Sequence, residues 1–401
     1  MLYFTKNKSD CMGCSACMAS CPVQCISMKT DKEGFLYPVS SDKCIHCGKC
    51  KKICPLVNEN GGMTNLEFTP RAFCAVTKDK STWQRSTSGG AFSEICRAFG
   101  DSDTIICGAA WNGLQVHHIC VHGVDQIAPL CKSKYVASSP ENVFSEILVF
   151  LNADKKVIFC GTPCQVTGLR KYLGKDYDNL LFIDLICHGV GSPSVFNSCV
   201  EYLSEQFGNE IVSYEFRAKR NAYQTDYMQK IGMHDTKEIY IRDDPYIQLF
   251  LSQNCLRPSC GGNCRFRNEH RQGDITIADF KGLIEIFPDM NASKRNYSTI
   301  IINTVKGDTV MLKLEKTMVM RQCSIDNIKK YNPLFYRQTW CSDERDEFFK
   351  DYIIEPRKAI QKWCTPAKSF DDNLRRKIWR VMPESLRRKT LLFMSRIREV
   401  R

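Results

Sequence analysis

Cys11-x2-Cys14-x2-Cys17-x3-Cys21-Pro22, repeated 33 residues later as Cys44-x2-Cys47-x2-Cys50-x3-Cys54-Pro55, is the stretch whose reading decides how the chain is organised. Three thiolates at x2 spacing wrap one side of a four-iron cubane, and the remote cysteine before proline reaches the other cluster. Cluster one is therefore expected to use Cys11, Cys14, Cys17 and Cys54, and cluster two Cys44, Cys47, Cys50 and Cys21. Zinc favours paired x2 spacings over a repeated triplet with Cys-Pro, and disulfides do not persist in a reducing compartment.

At 401 residues the chain exceeds what one hydrophobic core ordinarily organises, so several domains are expected. Residues 1–60 read as a 2[4Fe-4S] ferredoxin-type domain, and the polar, Gly-rich run from Asn58 to Asn65 leads into a linker over 61–70. Residues 71–150 and 151–340 follow as two parts of a mixed α/β region, and 341–401 as a basic C-terminal tail. The fold class is thus α+β and α/β, in more than one domain.

Twenty-four cysteines would suit a secreted scaffold, but Met1 to Asp10 has no apolar signal core and no run approaches about 18 apolar residues. A reducing cytoplasm is expected. Cys96, Cys107 and Cys199 lie in apolar runs, where a free thiol packs as a small hydrophobe. The formal charge of +12 is concentrated, because Pro366 to Arg401 carries eleven Lys and Arg against four Asp and Glu. No nucleic-acid partner is expected. The amphipathic, basic end suits an acidic partner or an anionic membrane face, or else a solvated helix packed on the body.

Along the α/β region, Ala72 to Lys78 reads as a strand, and Ala91 to Phe99 as a helix with apolar residues at 91, 92, 95, 98 and 99. Thr104 to Trp111 and Val116 to Val121 suggest a hairpin around Asn112-Gly113. Helices are expected over 140–151, 162–173, 192–207 and 309–317, and strands over 156–160, 180–186, 211–219, 274–279 and 298–304, with no clear periodicity beyond Asn332.

Four stretches hold more than a generic fold needs. Ser88-Gly89-Gly90 opens a helix; small residues let the backbone approach a phosphate, although such a turn also serves as a plain cap. Phe159-Cys160-Gly161-Thr162-Pro163-Cys164-Gln165 and Asp184-Leu185-Ile186-Cys187-His188-Gly189 each end an expected strand, where ligands of open α/β sheets bind. Cys160 and Cys164 suit a metal or a pocket wall, and His188 a cofactor hydrogen bond or a loop position satisfied by backbone. Cys255-x4-Cys260-x3-Cys264 points to a metal. A third [4Fe-4S] cluster there needs a fourth ligand, for which Cys187 is the candidate and Cys164 the reserve, with zinc and free thiols as alternatives.

Ser88-Gly-Gly-Ala-Phe92, Ser133-Lys-Tyr-Val136, Cys160-Gly-Thr-Pro-Cys-Gln-Val-Thr-Gly-Leu-Arg170, Asp184-Leu-Ile-Cys-His-Gly189, Arg257-Pro-Ser-Cys260 and Gly273-Asp-Ile-Thr-Ile277 together resemble the beta subunit of coenzyme F420 hydrogenase and dehydrogenase over roughly residues 70 to 340. The resemblance implies an FAD-containing iron-sulfur oxidoreductase that passes electrons between clusters and flavin, then hydride to or from F420 or another organic acceptor; a non-catalytic electron-transfer subunit serving a partner enzyme is the alternative. It implies cofactor contacts at Ser88, Gly89, Gly90, Lys134, Thr162, Pro163, Gln165 and His188, metal ligation by Cys187, Cys255, Cys260 and Cys264, and an electron-donor or acceptor protein as partner. It nominates no catalytic proton donor. Cys260-x3-Cys264 departs from the usual x2 spacing, Ala218 stands where Asp is expected, Lys281 where Trp is, and Gly191 where Pro is.

Overall fold

The computed structural model describes residues 2, 5, 7–57, 68–140, 142–219, 227–232, 237–240, 243–261, 264–290, 296–336 and 343–364. Its strands are β1 (Ile26–Thr30), β2 (Leu36–Ser40), β3 (Arg71–Thr77), β4 (Ile105–Asn112), β5 (Gln115–His122), β6 (Val157–Cys160), β7 (Leu180–Leu185), β8 (Ser213–Lys219), β9 (Tyr227–Gly232), β10 (Lys237–Tyr240), β11 (Ile275–Asp279), β12 (Ser298–Ile302) and β13 (Met318–Cys323).

The body is built on an eight-stranded sheet in the order β13-β3-β12-β11-β7-β6-β4-β5. β4, β6, β7 and β11 run parallel, and β3 shares their direction because both β3 and β11 are antiparallel to β12. Alternate side chains feed two cores. Ile106, Ile158, Leu181 and Ile183 pack with the Ala91–Phe99 and Met311–Thr317 helices. Ile105, Val157, Phe159, Leu180 and Phe182 pack with the Val143–Asn152 and Pro163–Leu173 helices. Covered on both faces, these strands read as continuous apolar runs rather than alternating ones.

The order β10-β9-β8 forms a second, three-stranded sheet. Tyr214 and Phe216 of β8 join Phe196 and Tyr246 in a third core whose rings meet at 4.9 to 5.9 Å. Phe35 and Tyr37, from the β1–β2 hairpin, are buried in that same core. The N-terminal region is therefore seated on the body. Arg257 fixes the seat, donating to the Cys11 and Leu36 carbonyls at 2.9 Å each while its guanidinium lies 4.3 Å from the Tyr37 ring centre. Arg345 and Ser192 hold Glu33, through its carboxylate and its backbone carbonyl, at 2.5 Å each.

Three expectations change. The Arg345–Ile354 and Pro356–Trp363 helices lie where no periodicity was expected; they belong to the body because Phe348, Phe349, Tyr352, Ala359 and Ile360 are buried in the aromatic core. The rest of the basic tail, 365–401, and linker residues 61–67 lie outside the described residues. Cys107 is not a free thiol: it faces Cys120 in the β4–β5 register and is bonded to it. Gly191 is required where Pro was expected, since a Cβ there would lie 2.2 Å from the Tyr246 hydroxyl, which donates to the Tyr135 carbonyl. Cys96 and Cys199 are buried apolar thiols as expected. Among the described residues no helix is long and apolar enough to cross a membrane.

Candidate functional site

The two cysteine runs share one backbone scheme. Gly13 and Ser15 flank Cys14 with φ of 69° and 61°, and their repeat partners His46 and Gly48 flank Cys47 with 53° and 71°. Left-handed residues on either side of the middle cysteine turn three closely spaced thiols toward one centre. Each run continues into a single helical turn, Ala16–Ala19 in one and Lys49–Lys52 in the other.

Cys11, Cys14, Cys17 and Cys54 line one small cavity, together with Leu2, Met28 and Pro38. This is the set expected for cluster one. It is an inner site: burial pushes the Cys14 and Cys17 thiols up, Cys17 to about 12, with the neighbouring thiols adding to the effect. Cys17, Cys21, Cys44 and Cys50 gather around Leu2, Cys25 and Ile26 in a small satellite core, while Cys47 is exposed. Spacing did not single out Cys25. Its sulfur lies 3.4 Å from the Cys21 sulfur, and its backbone N–H donates to that sulfur at 3.4 Å.

A further quartet forms in the body. Cys164 at the start of the Pro163–Leu173 helix, Cys187 just past β7, and Cys260 and Cys264 in the following loop feel one another's charge, and burial raises the first three, Cys187 to about 12. Cys255 does not join them. It is fully buried in the aromatic core, where its charged neighbours are Cys364 and Arg345. Cys164, the reserve ligand, therefore stands where Cys255 was expected. Arg257 touches both ends of this arrangement, lying close enough to Cys260 to act on its charge while bonded to the Cys11 carbonyl. Among the described residues no three His, Cys, Asp or Glu side chains converge on a single-ion site. A zinc ion would require sulfurs at about 2.3 Å from one point. A [4Fe-4S] cubane is larger than a single ion and takes four thiolates, which is the number gathered here.

The third component is a cavity of about 500 Å³ at the carboxyl edge of the sheet. Its lining includes Arg85, Arg97, Ser93, Trp111, Lys132, Ser133 and Phe216. The three-stranded sheet leans over this edge: Glu215 pairs with Lys132, Arg217 with Asp279 at 2.7 Å, and the Lys219 ammonium donates to the Trp83 and Ser88 carbonyls at 2.6 Å each. Arg217 holds a left-handed φ of 55° at a β-bulge, a conformation its side chain does not favour. Burial opposes ionisation of Asp279, but the Arg217 guanidinium and nearby Lys281 hold its carboxyl below the usual range. Positions 217–219 and 279–281, which contain the departures Ala218 and Lys281, are thus neighbours in space.

The sequence-selected cofactor residues are all engaged by the protein itself. The Lys134 ammonium donates to the Pro129 and Cys131 carbonyls at 3.0 and 2.6 Å, and burial lowers it to about 8. Ser88, Gly89 and Gly90 border the same edge. Ser88 donates to the Tyr297 carbonyl at 2.6 Å, and the Gly89 N–H to Ser298 Oγ at 2.9 Å; a Cβ on Gly89 would lie 2.3 Å from the Ala75 carbonyl. Thr162, Pro163 and Gln165 form a helix cap: Gln165 Oε1 accepts from the Thr162 N–H at 3.0 Å, and Pro163 occupies the first turn. His188 lies 3.3 Å from the Phe250 carbonyl, and burial together with Arg267 lowers its imidazole. These contacts explain why the motif residues have the identities they do without any ligand. The cavity-lining Arg85, Arg97 and Lys132 were not legible, because nothing in their spacing marks them.

Residues 154–328 match the family described as the C terminus of the coenzyme F420 hydrogenase/dehydrogenase beta subunit, and residues 10–57 match the 4Fe-4S dicluster domain. No curated protein matches the chain. Among solved structures, a chain of the xenon-derivatised F420-reducing [NiFe] hydrogenase complex from Methanosarcina barkeri is 15% identical, with a TM-score of 0.43 and 74% of this chain and 90% of that one covered.

Proposed function

We propose that this chain, a member of the coenzyme F420 hydrogenase/dehydrogenase beta-subunit family with an N-terminal 4Fe-4S dicluster domain, is an FAD-dependent iron-sulfur oxidoreductase that exchanges hydride with a small organic acceptor. The observation that carries this reading is the quartet Cys164, Cys187, Cys260 and Cys264, linked through Arg257 to the inner N-terminal thiols, with Cys164 four residues beyond the end of β6 at Cys160. Clusters pass electrons singly and a flavin pairs them for hydride, so a flavin beside the last cluster joins the two regimes.

Each residue has a definite part in this reading. The N-terminal thiols hold two [4Fe-4S] clusters and the body quartet a third. Arg85, Arg97 and Lys132 line a cavity of about 500 Å³ together with Asp125 and Glu215; Lys132 is paired with Glu215 and Arg97 with Glu94, so Arg85 is the cation this reading assigns to a phosphate, while Trp111 and Phe216 offer apolar walls. In this reading Lys134, whose ammonium rests on the Pro129 and Cys131 carbonyls and has a lowered proton affinity, turns to an anionic cofactor group when one is bound. Arg217, paired with Asp279, and nearby Lys281 are the positions this reading assigns to the choice of acceptor, whether a deazaflavin or another organic molecule.

The test is anaerobic. Purified protein is expected to carry about one FAD, and its reduced form is mixed with F420, nicotinamides and other organic acceptors while flavin absorbance is followed. Reoxidation by one of them identifies the acceptor. Absence of flavin after cofactor-replete expression overturns this reading in favour of a non-catalytic electron-transfer subunit.

A further inference from the structure

The two cysteine runs are equivalent in backbone but opposite in surface chemistry. At an offset of 33 residues, Asp10, Ala16, Met18 and Ala19 in the inner run correspond to Lys43, Lys49, Lys51 and Lys52 in the outer run. Ala16 is fully buried against the body, whereas all four lysines are exposed. The difference extends to the thiols, since Cys47 is exposed and its inner counterpart Cys14 packs against a body core. Between 41 and 57 the single acidic residue is Asp42. Among the described residues Lys43, Lys49 and Lys51 make no ion pair. Ile45, next to Cys44, is an exposed apolar side chain at 60%.

We infer that this lysine-ringed face, with Ile45 and Cys47 at its middle, is the docking surface for an acidic one-electron carrier protein that exchanges electrons with the outer cluster. The chemistry is that of a weak, fast redox encounter: opposite charge steers the approach, and a small apolar contact settles it. A cluster with net negative charge gains from nearby lysines wherever it sits, yet the inner run has none at the matching positions. The inner run's cations come instead from the body, Arg257 at the Cys11 carbonyl and Lys171 near Cys54, so what sets the outer lysines apart is their exposure around Ile45 and Cys47. The inner run has no need of a partner surface, because the body covers it. This inference rests on the proposed ligation of a cluster by Cys21, Cys44, Cys47 and Cys50.

The test uses the full-length, cluster-loaded protein and a reduced acidic [2Fe-2S] ferredoxin as probe, with electron transfer followed by stopped flow across a salt series. The wild-type rate is expected to fall steeply with salt. The triple variant Lys43→Glu, Lys49→Glu, Lys51→Glu should slow the reaction at least tenfold at low salt and should accelerate electron exchange with basic cytochrome c. Iron content and the cluster EPR signal are measured on the same samples, which separates loss of docking from loss of the cluster. If the charge reversal impairs loading, the Lys→Gln triple keeps the question open to measurement, with a threefold or greater slowing expected. An unchanged ferredoxin rate in a fully loaded variant would overturn the inference, even if the cluster potential shifts.

Discussion

The inner and outer cysteine runs compare one local design in two surroundings. Their left-handed residues and single helical turns are shared, so the local fold around each set of thiols follows from cysteine spacing and a few small residues. What differs is cover. The inner run is held by Arg257 and lies against the Pro163–Leu173 helix so closely that a Cβ on Gly168 would lie 3.0 Å from the Cys14 sulfur. The outer turn is open, and a Cβ on Gly48 would meet nothing within 4 Å. Spacing thus sets the local backbone, while the rest of the chain sets the surroundings: one set of thiols packs against the body and the other opens to solvent.

The comparison can be broken most forcefully at Arg257. Arg257→Ala removes two charge-assisted hydrogen bonds and a ring contact from the inner seat. A loss of about 3 kcal/mol or more is expected, read as a lower thermal midpoint. Gly168→Ala attacks the same contact from the helix side and should cost about 1–3 kcal/mol. Its signature is selective: EPR should show the inner cluster perturbed and the outer one intact. Iron chelation gives the converse, with the cluster at exposed Cys47 expected to be lost first, so that iron release is biphasic.

At the carboxyl edge, the same contrast between covered and open surroundings acts on a charge. Burial brings the Lys219 ammonium down to about 7, and Arg217 adds to the effect. The unfolded chain keeps this lysine protonated to about pH 10.4, so between pH 7 and that value the unfolded state binds more protons. Folding stability should therefore rise with pH across this window and level off below it. Lys219→Met should flatten the rise in thermal midpoint. The smallest effect belongs to the open run, where Lys51→Ala should change stability by no more than about 0.5 kcal/mol.

Much of this was legible in the sequence. The grouping of Cys11, Cys14, Cys17 and Cys54 around one cavity follows from spacing, and the expected body helices reappear as Val143–Asn152, Pro163–Leu173, Pro193–Phe207 and Met311–Thr317. Long-range pairing was not legible. Strand direction at β12 and β13 depends on partners far along the chain, and the Cys107–Cys120 link depends on register. Cys255 misled because proximity in sequence to Cys260 says nothing about facing: it lies where the chain enters the aromatic core, while Cys164 reaches the quartet from a helix start about 100 residues earlier. The pairs Phe348 and Phe349, and Ala359 and Ile360, are too short a pattern to announce helices that only the body's core explains.

The central claim, that a third cluster held by the body quartet joins the N-terminal pair to a flavin, is tested most directly by iron and FAD analysis of anaerobically purified wild type, Cys164→Ser and Cys255→Ser. Each cubane holds four irons, so the account predicts about 12 irons and one FAD in the wild type, about 8 irons in Cys164→Ser, and about 12 in Cys255→Ser. Full iron in Cys164→Ser, or loss of four irons in Cys255→Ser, would contradict it.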